Sequence, residues 1–349
     1  MKTVVRQVKL APYGRRAIAG MTFAVQPGYR RREPGVKVPM SQPLALIVAP
    51  FLTVLEPAFQ QGGLATARAW ELTDDQRPHV RAIVHPGEVP LSAELLATLP
   101  ALGLIACVSV GYDGIDVAWC RARGIEVTHA RGLNAEDVAD HAIGLTLAAW
   151  RNIPALDRIV REGRWRQEAR IGSQPSLGGR TLGVVGLGHI GAAVARRAEA
   201  LRLNVQWWGP RPNDRAPWPR AESLLALAQA SDILVICARA EAANRGMISA
   251  EVIEAVGPQG IIVNVGRGQL IDEDALIAAL KEGRLWRAAL DVFVQEPTPP
   301  ERWADVPNAV LTTHTAGSSN EAVHLMVAQA VDNVRRFLAG EALASPVAG

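Results

Sequence analysis

An arginine, a glutamate and a histidine each follow a short apolar segment in the second half of the chain: Arg267, Glu296 and His314. The apolar segments predict buried parallel strands, and such strands end at the sheet edge where ligands bind. A cation that binds a carboxylate and polarises a carbonyl, with a histidine as proton donor, is suited to reducing a keto acid. Each residue also has a purely structural interpretation, but their joint placement favours an active site.

A glycine loop precedes these residues. Gly186, Gly188 and Gly191 form a G-x-G-x-x-G pattern that follows a predicted buried strand and opens a predicted helix. The first glycine permits the tight turn, the second lets the backbone approach a pyrophosphate, and the third lets helix and strand pack closely. N–H groups at the helix start, here at His189, Ile190 and Gly191, are predicted to bind the phosphates. The pattern predicts a dinucleotide site.

The end of the next strand bears on the choice of dinucleotide. An NAD-binding fold usually places an acid there for the ribose 2′-hydroxyl. This chain has Trp208, Gly209 and Arg211 instead, with no acid before Asp214. A missing carboxylate removes repulsion against a 2′-phosphate, and an arginine supplies a fork for it. The segment predicts a preference for NADP(H), with NAD(H) as an alternative and Arg211 as a simple surface residue as another.

Composition limits the class of protein. The chain has 349 residues, of which 49% are hydrophobic and 20% charged, enough for two domains with their own cores. The three cysteines lack metal-ligand spacing, so we expect core thiols in a reducing compartment and no metal site. No apolar run is long enough to cross a bilayer. We therefore expect a cytoplasmic enzyme with no membrane partner.

The basic character lies at the amino terminus. Residues 1–39 hold nine Lys or Arg against one acid, Glu33, which gives this segment a charge of +8 and the rest −5. A mildly acidic body argues against a nucleic-acid partner. We predict a basic, disordered extension over residues 1–39. The alternatives are a targeting or binding arm, or translated sequence upstream of a start at Met40.

Patterning from Leu44 onward predicts two α/β units. The first, smaller unit is predicted to be flavodoxin-like and the second to be a Rossmann-type, doubly wound parallel sheet. The predicted strands of the first unit are Leu44–Pro50, His79–His85, Leu102–Val110 and Glu126–His129. Those of the second are Thr181–Leu187, Asn204–Trp208, Asp232–Cys237, Gly260–Val265, Ala288–Phe293 and Ala309–Thr313. A last helix is predicted over Glu321–Leu338, and the pattern alone leaves open which unit it joins.

Four separated motifs resemble the D-isomer-specific 2-hydroxyacid dehydrogenase family over residues 44–340. They are the segments 177–191, 263–268, 290–297 and 313–317. The resemblance implies a substrate domain of residues 40–137 and 318–349, a dinucleotide-binding domain of 138–317, and a homodimer. Within the family, residues 138–144, Arg151 and the loop at Arg211 look most like NADPH-dependent glyoxylate/hydroxypyruvate reductases.

The resemblance also implies roles for individual residues. Arg267 would bind substrate, Glu296 would pair with the histidine, and His314 would be the general acid/base. Asp291 would hold the nicotinamide carboxamide, and the cofactor site would include Gly317. The loop at Val110 and Gly111 would receive the substrate carboxylate through its backbone N–H groups. Two positions, His189 and Arg239, depart from the usual pattern of the family.

The leading prediction is therefore NAD(P)H-dependent reduction of glyoxylate or hydroxypyruvate to the D-2-hydroxy acid. One alternative is a dehydrogenase of a bulkier 2-hydroxy acid. Another is a non-enzymatic, nucleotide-sensing dimeric scaffold on the same fold, in which Arg267, Glu296 and His314 would be dispensable. All three residues are present, and that favours the enzyme.

Overall fold

The computed structural model describes residues 42–165 and 174–347, which form two compact units. One unit combines the described residues up to Leu133 with those from Asn320 onward, and the other runs from Asn134 to Ser319. The predicted basic extension, residues 1–39, lies outside the described residues. The roles predicted for these units, substrate binding for the first and dinucleotide binding for the second, stay predictions.

The first unit is built on a five-stranded, wholly parallel sheet. Its strands are β1 (Leu44–Ile47), β2 (Ala65–Arg68), β3 (Val80–His85), β4 (Leu104–Cys107) and β5 (Glu126–Thr128). The spatial order is β2-β1-β3-β4-β5, the order of flavodoxin-like folds. Its helices are α1 (Glu56–Gln61), α2 (Ala93–Ala97), α3 (Val117–Arg121) and, numbered with the whole chain, the closing helix α10 (Asn320–Ala339).

The closing helix belongs to this first unit. Val327, Ala330 and Val334 of α10 are buried in one cluster with Ile47 of β1 and Phe59 of α1. The apolar face of α10 thus covers one face of the sheet. Residues of α2 and α3 pack with strand residues in a separate cluster on the other face. The chain therefore leaves the first unit and returns to it.

The second unit contains a six-stranded parallel sheet. Its strands are β6 (Thr181–Val185), β7 (Asn204–Trp208), β8 (Ile233–Ile236), β9 (Ile261–Asn264), β10 (Arg287–Leu290) and β11 (Ala309–Leu311). Its helices are α4 (Ala135–Trp150), α5 (Ile153–Arg161), α6 (His189–Ala200), α7 (Leu224–Gln229), α8 (Ala250–Val256) and α9 (Glu273–Lys281). The order is β11-β10-β9-β8-β6-β7.

Helices cover both faces of this second sheet. Buried residues of α4 and α6 share one cluster with strand residues such as Val184 and Val263. Buried residues of α7, α8 and α9 share a second cluster with Leu234 and Ile262. Neighbouring residues of a strand point to opposite faces, so both faces need apolar side chains and the strands are continuous apolar runs. The predicted Rossmann-like, doubly wound class is confirmed.

The structure adds elements that patterning did not predict. Strand β2 and helix α5 were absent from the sequence-based assignment, because Ala65–Arg68 is a half-buried edge strand with no β-branched run and α5 leaves most of its residues exposed. A third strand beyond β7, expected in the common order 3-2-1-4-5-6, is reduced to one parallel bridge between Trp207 and Arg220. In the part of the chain that the structure describes, no helix is long and apolar enough to span a bilayer.

Candidate active site

Arg267, Glu296 and His314 lie on three loops that follow neighbouring strands. The loops follow β9, β10 and β11, which are adjacent in the sheet and end at the same edge. The sheet therefore gathers three residues that are far apart in sequence, as the strand pattern predicted. All three lie in the second unit.

Glu296 and His314 are directly bonded. Nδ1 of His314 lies 2.6 Å from Oε2 of Glu296, and the other carboxylate oxygen of Glu296 accepts the N–H of Phe293 at 2.9 Å. Partial burial raises the pKa of the Glu296 carboxyl, but the bonds from His314 and Phe293 and the charge of Arg267 outweigh it, so the pKa lies below its ordinary value. Glu296 is thus a carboxylate at neutral pH, and a carboxylate on Nδ1 favours a protonated imidazole.

His314 is held in an unusual backbone conformation. Its φ is +52°, and its own N–H donates to the carbonyl oxygen of Asp291 at 2.8 Å. A non-glycine residue in the left-handed region costs of order 1 kcal/mol and persists where the surroundings hold it. This turn directs the chain out of β11 and brings the imidazole to Glu296.

The loop of Arg267 is held from inside by Asn264. This buried side chain donates from Nδ2 to the carbonyl oxygen of Arg267 at 3.0 Å and accepts the N–H of Gly266 at 3.0 Å. The next residue, Gly268, lies so close to the chain after β10 that a Cβ there would be 1.9 Å from the carbonyl carbon of Phe293. Sequence reasoning quoted both residues in a motif without assigning them this positioning task.

Asp291, predicted to hold the nicotinamide carboxamide, is fully buried at the end of β10. Its oxygens accept the Thr312 hydroxyl at 2.6 Å and the N–H groups of Thr315 and Ala316 at 3.0 and 2.9 Å. Burial raises the pKa of this carboxyl, but these bonds and that of His141 outweigh it and place the pKa well below its ordinary value. Asp291 therefore holds the loop on which His314 lies, and its predicted contact with nicotinamide stays a prediction.

Two residues beside this loop were not assigned a role from the sequence motif. Nε2 of His141, on α4, lies 3.0 Å from the hydroxyl of Thr312 and 3.5 Å from Asp291. Gly317, predicted for the cofactor site, faces Asn134, since a Cβ at Gly317 would lie 2.2 Å from Nδ2 of that side chain. The amide oxygen of Asn134 is buried and has no hydrogen-bond partner among the described residues. Spacing in the sequence did not reveal either proximity.

The glycine loop has the geometry that a bound pyrophosphate requires. Gly186 has a φ of +91°, and a Cβ there would lie 2.7 Å from the backbone of Ala238. A Cβ at Gly191 would lie 2.1 Å from the carbonyl oxygen of Gly186, so helix α6 packs tightly on the turn. A Cβ at Gly188 would meet nothing within 4 Å, and Gly188 caps α6 without a side-chain acceptor. The helix start at His189 and Ile190 thus faces open space and fits a dinucleotide phosphate.

The chain after β7 is more exposed. Gly209 is buried, and its carbonyl oxygen accepts Nη2 of Arg220 at 2.7 Å, while Arg211 is exposed. The guanidinium of Arg220 also lies 5.7 Å from the centre of the Trp207 ring. Arg220 was missed by sequence reasoning because it lies eleven residues beyond Gly209 and returns only through the single bridge to Trp207.

The predicted carboxylate loop lies in the first unit, at the end of β4. Val110 accepts at its carbonyl oxygen from Nδ1 of His129 at 3.0 Å when that nitrogen is protonated, and Ser109 donates its hydroxyl to the carbonyl oxygen of Gly111 at 2.6 Å. Gly87, after β3, has a φ of +92° and packs against this loop so closely that a Cβ would lie 2.1 Å from the Gly111 oxygen. The loop is therefore fixed from two sides.

The chain is similar in sequence to a known protein family and to characterised reductases. The sequence model for D-isomer specific 2-hydroxyacid dehydrogenase, NAD binding domain, matches residues 143–316. Glyoxylate/hydroxypyruvate reductase HPR3 of Arabidopsis thaliana is 38% identical over 269 residues, 76% of this chain and 83% of that protein. Hydroxyphenylpyruvate reductase of Plectranthus scutellarioides is 37% identical over 78% of this chain and 87% of that protein.

A solved structure is also similar. It is that of the NADPH-dependent glyoxylate/hydroxypyruvate reductase SmGhrB from Sinorhizobium meliloti in complex with NADP and malonate. The TM-score is 0.81 at 35% sequence identity, and the match covers 88% of this chain and 97% of that one. The likeness thus extends over both units.

Proposed function

Because this chain belongs to the D-isomer-specific 2-hydroxyacid dehydrogenase family of oxidoreductases, we propose that it reduces glyoxylate or hydroxypyruvate to the D-2-hydroxy acid with a nicotinamide dinucleotide. The observation that carries the proposal is the 2.6 Å contact between His314 and Glu296, on loops adjacent to that of Arg267. This is a proton donor with its orienting carboxylate, placed beside a cation.

Each residue has a defined task in this proposal. The bound cofactor, in its reduced form, supplies a hydride for C2 of the keto acid. Arg267 binds the substrate carboxylate and polarises the carbonyl. The role predicted for the backbone N–H groups of Val110 and Gly111 in the first unit, binding a carboxylate, stays a prediction. His314 donates the proton on Nε2 to the carbonyl oxygen, because Nδ1 is bonded to Glu296. Glu296 stays ionised and stabilises the imidazolium before the transfer, and the neutral imidazole that is left then takes up a proton from water.

The cofactor is assigned to the glycine loop, with a preference for NADP(H). His189, Ile190 and Gly191 would bind the pyrophosphate through their N–H groups, and Asp291 and Gly317 would border the nicotinamide. The exposed Arg211 would bind a 2′-phosphate, and the absence of an acid before Asp214 supports this assignment. The NADP complex of the similar reductase from Sinorhizobium meliloti is a further support.

The test is the oxidation of NADPH and NADH by the purified full chain with glyoxylate, hydroxypyruvate and pyruvate. We expect keto-acid-dependent oxidation that is faster with NADPH. Cofactor binding without reduction of any keto acid would contradict the proposal and favour the nucleotide-sensing scaffold. A clear preference for NADH would contradict the assignment of Arg211 alone.

A specific observation favours the bulkier-acid alternative as a second candidate. Phe51 and Trp70 follow β1 and β2, at the same edge of the first sheet as the Val110–Gly111 loop, and are 61% and 46% exposed. Exposed aromatic rings at the same sheet edge as a predicted carboxylate loop fit an acid with an apolar substituent. The test is the ratio of kcat/KM for hydroxyphenylpyruvate to that for glyoxylate. The second candidate predicts a ratio above one, which Phe51→Ala lowers by about 10-fold, the loss expected when a substrate ring loses one apolar contact.

We further propose a homodimer in the cytoplasm. Ile153, Leu156 and Val160 are exposed on one face of α5, and Trp165 is exposed shortly after that helix. Such a row of apolar side chains is typical of an interface. The three cysteines are free thiols, as expected in a reducing compartment. Light scattering on the purified protein tests the dimer, and a monomeric mass would contradict it.

A further inference from the structure

The peptide group between Phe293 and Val294 is a point where several loops meet. Gly268, next to Arg267, lies against it, with a Cβ distance of 2.0 Å to the carbonyl oxygen of Phe293 and 2.3 Å to the nitrogen of Val294. Glu296 bonds to the N–H of Phe293. The loop of Arg267 thus packs against the Phe293–Val294 peptide, and the carboxylate partner of His314 bonds to the N–H one peptide group earlier in the same segment.

One further side chain bonds to this segment from outside the three loops. Glu273 is the first residue of α9, and only 7% of it is exposed. Its Oε2 accepts the N–H of Val294 at 3.1 Å, and its Oε1 accepts Nε of Arg302. A buried carboxylate needs such partners, because an unpaired buried charge costs several kcal/mol.

Arg302 holds Glu273 in turn. Its Nη2 bonds to Asp274 at 2.6 Å, so the guanidinium links the first two residues of α9. Asp274 is largely exposed. The side chain nearest to the Phe293–Val294 peptide in this group is thus Glu273, with Arg302 behind it and Asp274 at the surface.

We propose that Glu273 is a positioning residue for the reaction: by binding the N–H of Val294 it fixes the segment Phe293–Val294, against which Gly268 packs and to which Glu296 bonds, and so sets the Glu296–His314 pair. This inference rests on the proposed function. Without an acceptor for the Val294 N–H, a shift of this segment would displace the Phe293 N–H that anchors Glu296. The neighbours of a catalytic pair commonly alter turnover by 10- to 100-fold in this way.

Two substitutions separate the reach of Glu273 from its charge. Glu273→Gln keeps an oxygen at the distance of the Val294 N–H and removes the charge. Glu273→Asp keeps the charge and the acid at the helix start, but draws the carboxylate back by about 1.5 Å, one carbon–carbon bond. Asp274→Asn is the matched control, since it disturbs only the surface contact to Arg302.

The expected outcome is a roughly 10-fold lower kcat for Glu273→Asp with an unchanged KM for NADPH, while Glu273→Gln stays within about 3-fold of the wild type. NMR titration of the His314 ring, identified by its loss in His314→Gln, gives a readout that needs no turnover. In Glu273→Asp its midpoint moves to lower pH, in the direction of Glu296→Gln, because the carboxylate on Nδ1 is less well placed. Asp274→Asn leaves both measurements as in the wild type.

Other results would overturn the inference. If Glu273→Asp lowers only the Tm and leaves kcat and the titration unchanged, Glu273 stabilises the fold alone. If Glu273→Asp matches the wild type and Glu273→Gln is impaired, the charge toward Arg302 matters and the bond to Val294 does not. A wild-type protein that reduces no keto acid would contradict the proposed function, and the titration would still test whether Glu273 positions Glu296.

Discussion

The two ends of the carboxyl edge of the second sheet are built differently. After β9, β10 and β11, each loop is held by a buried polar side chain: Asn264, Glu273 and Asp291, respectively. After β7, the chain is exposed over residues 210–215, and its side-chain links to the strand end include the bond from Arg220 to Gly209 and that from the Trp207 indole to Trp218. Proton transfer requires groups held to fractions of an ångström, whereas a cation selects a phosphate over a wider range of positions. The difference predicts that substitutions at one end change rates and at the other change preferences.

The largest effect is expected at His314. His314→Gln removes the proton donor from the rigid end, and we expect kcat to fall by about 10²- to 10⁴-fold with little change in the Kd for NADPH. Stopped-flow kinetics and fluorescence titration of NADPH measure the two quantities. His79→Gln, in a short turn of the first unit, is the matched control. If turnover in His314→Gln stays within a few-fold of the wild type, His314 is not the proton donor and the rigid end does not set the rate.

Arg267 comes next. Arg267→Lys keeps the charge and loses the planar fork, so we expect a loss of about 1.5–3 kcal/mol in substrate binding, roughly a 10- to 100-fold higher KM for the keto acid. The KM for NADPH should stay the same. Initial rates over a range of both substrates separate the two constants, and an equal rise in both would show that the loop itself had moved.

Asp291 tests the rigid end through stability. Asp291→Asn should lower the free energy of unfolding by about 2 kcal/mol at pH 7, since charged hydrogen bonds to Thr312, Thr315 and Ala316 are weakened. The pKa of Asp291 is depressed in the folded protein, so its ionised form stabilises the fold above the unfolded pKa near 3.9. That contribution is lost as the pH falls below this value.

Urea unfolding at pH 7 and pH 3 measures this dependence. The difference between the wild type and Asp291→Asn should be smaller at pH 3 than at pH 7. Asp305→Asn, which removes an exposed partner of Lys281, is the control for the loss of one carboxylate. A difference that grows on acidification would mean that Asp291 is not held as a carboxylate.

The smallest effect is expected at the open end. Arg211→Ala should lower the ratio of kcat/KM for NADPH over NADH by about 3- to 10-fold, because an exposed cation contributes on the order of 1 kcal/mol and is screened by salt. Arg215→Ala, on the same exposed segment, is the matched control. An unchanged ratio would assign the 2′-phosphate to another cation, for which Arg220 is the nearest candidate by its contact with Gly209.

Sequence reasoning succeeded where a local pattern determines the structure. Strands such as β8 of the second sheet are uninterrupted apolar runs, and the turn at Gly186 requires a positive φ, so both can be read from the sequence. Adjacent parallel strands then bring Arg267, Glu296 and His314 to one edge. The roles of these residues stay proposals, and their placement together is a fact of the fold.

It failed where a contact depends on distant parts of the chain. No sequence pattern around Glu273 predicts its contact with Val294, 21 residues later. The contact of His141 with Thr312 joins residues that are 171 positions apart. Strand β2 is half-buried and pairs on one side, so its composition does not predict a strand. These features are set by tertiary packing, which single-residue preferences do not encode.

The bridge between Trp207 and Arg220 closes the segment between Gly209 and Pro219 into a loop at the end of β7. The N–H of Trp207 bonds to Pro219 and its carbonyl oxygen accepts the N–H of Ala221, so the return of the chain is anchored at the base of the loop. A loop closed at its base tolerates changes of length, since doubling it costs only about 0.6 kcal/mol in closure entropy. If Arg211 binds the 2′-phosphate as proposed, an exchange of this loop would change the preferred dinucleotide without altering the loops after β9, β10 and β11.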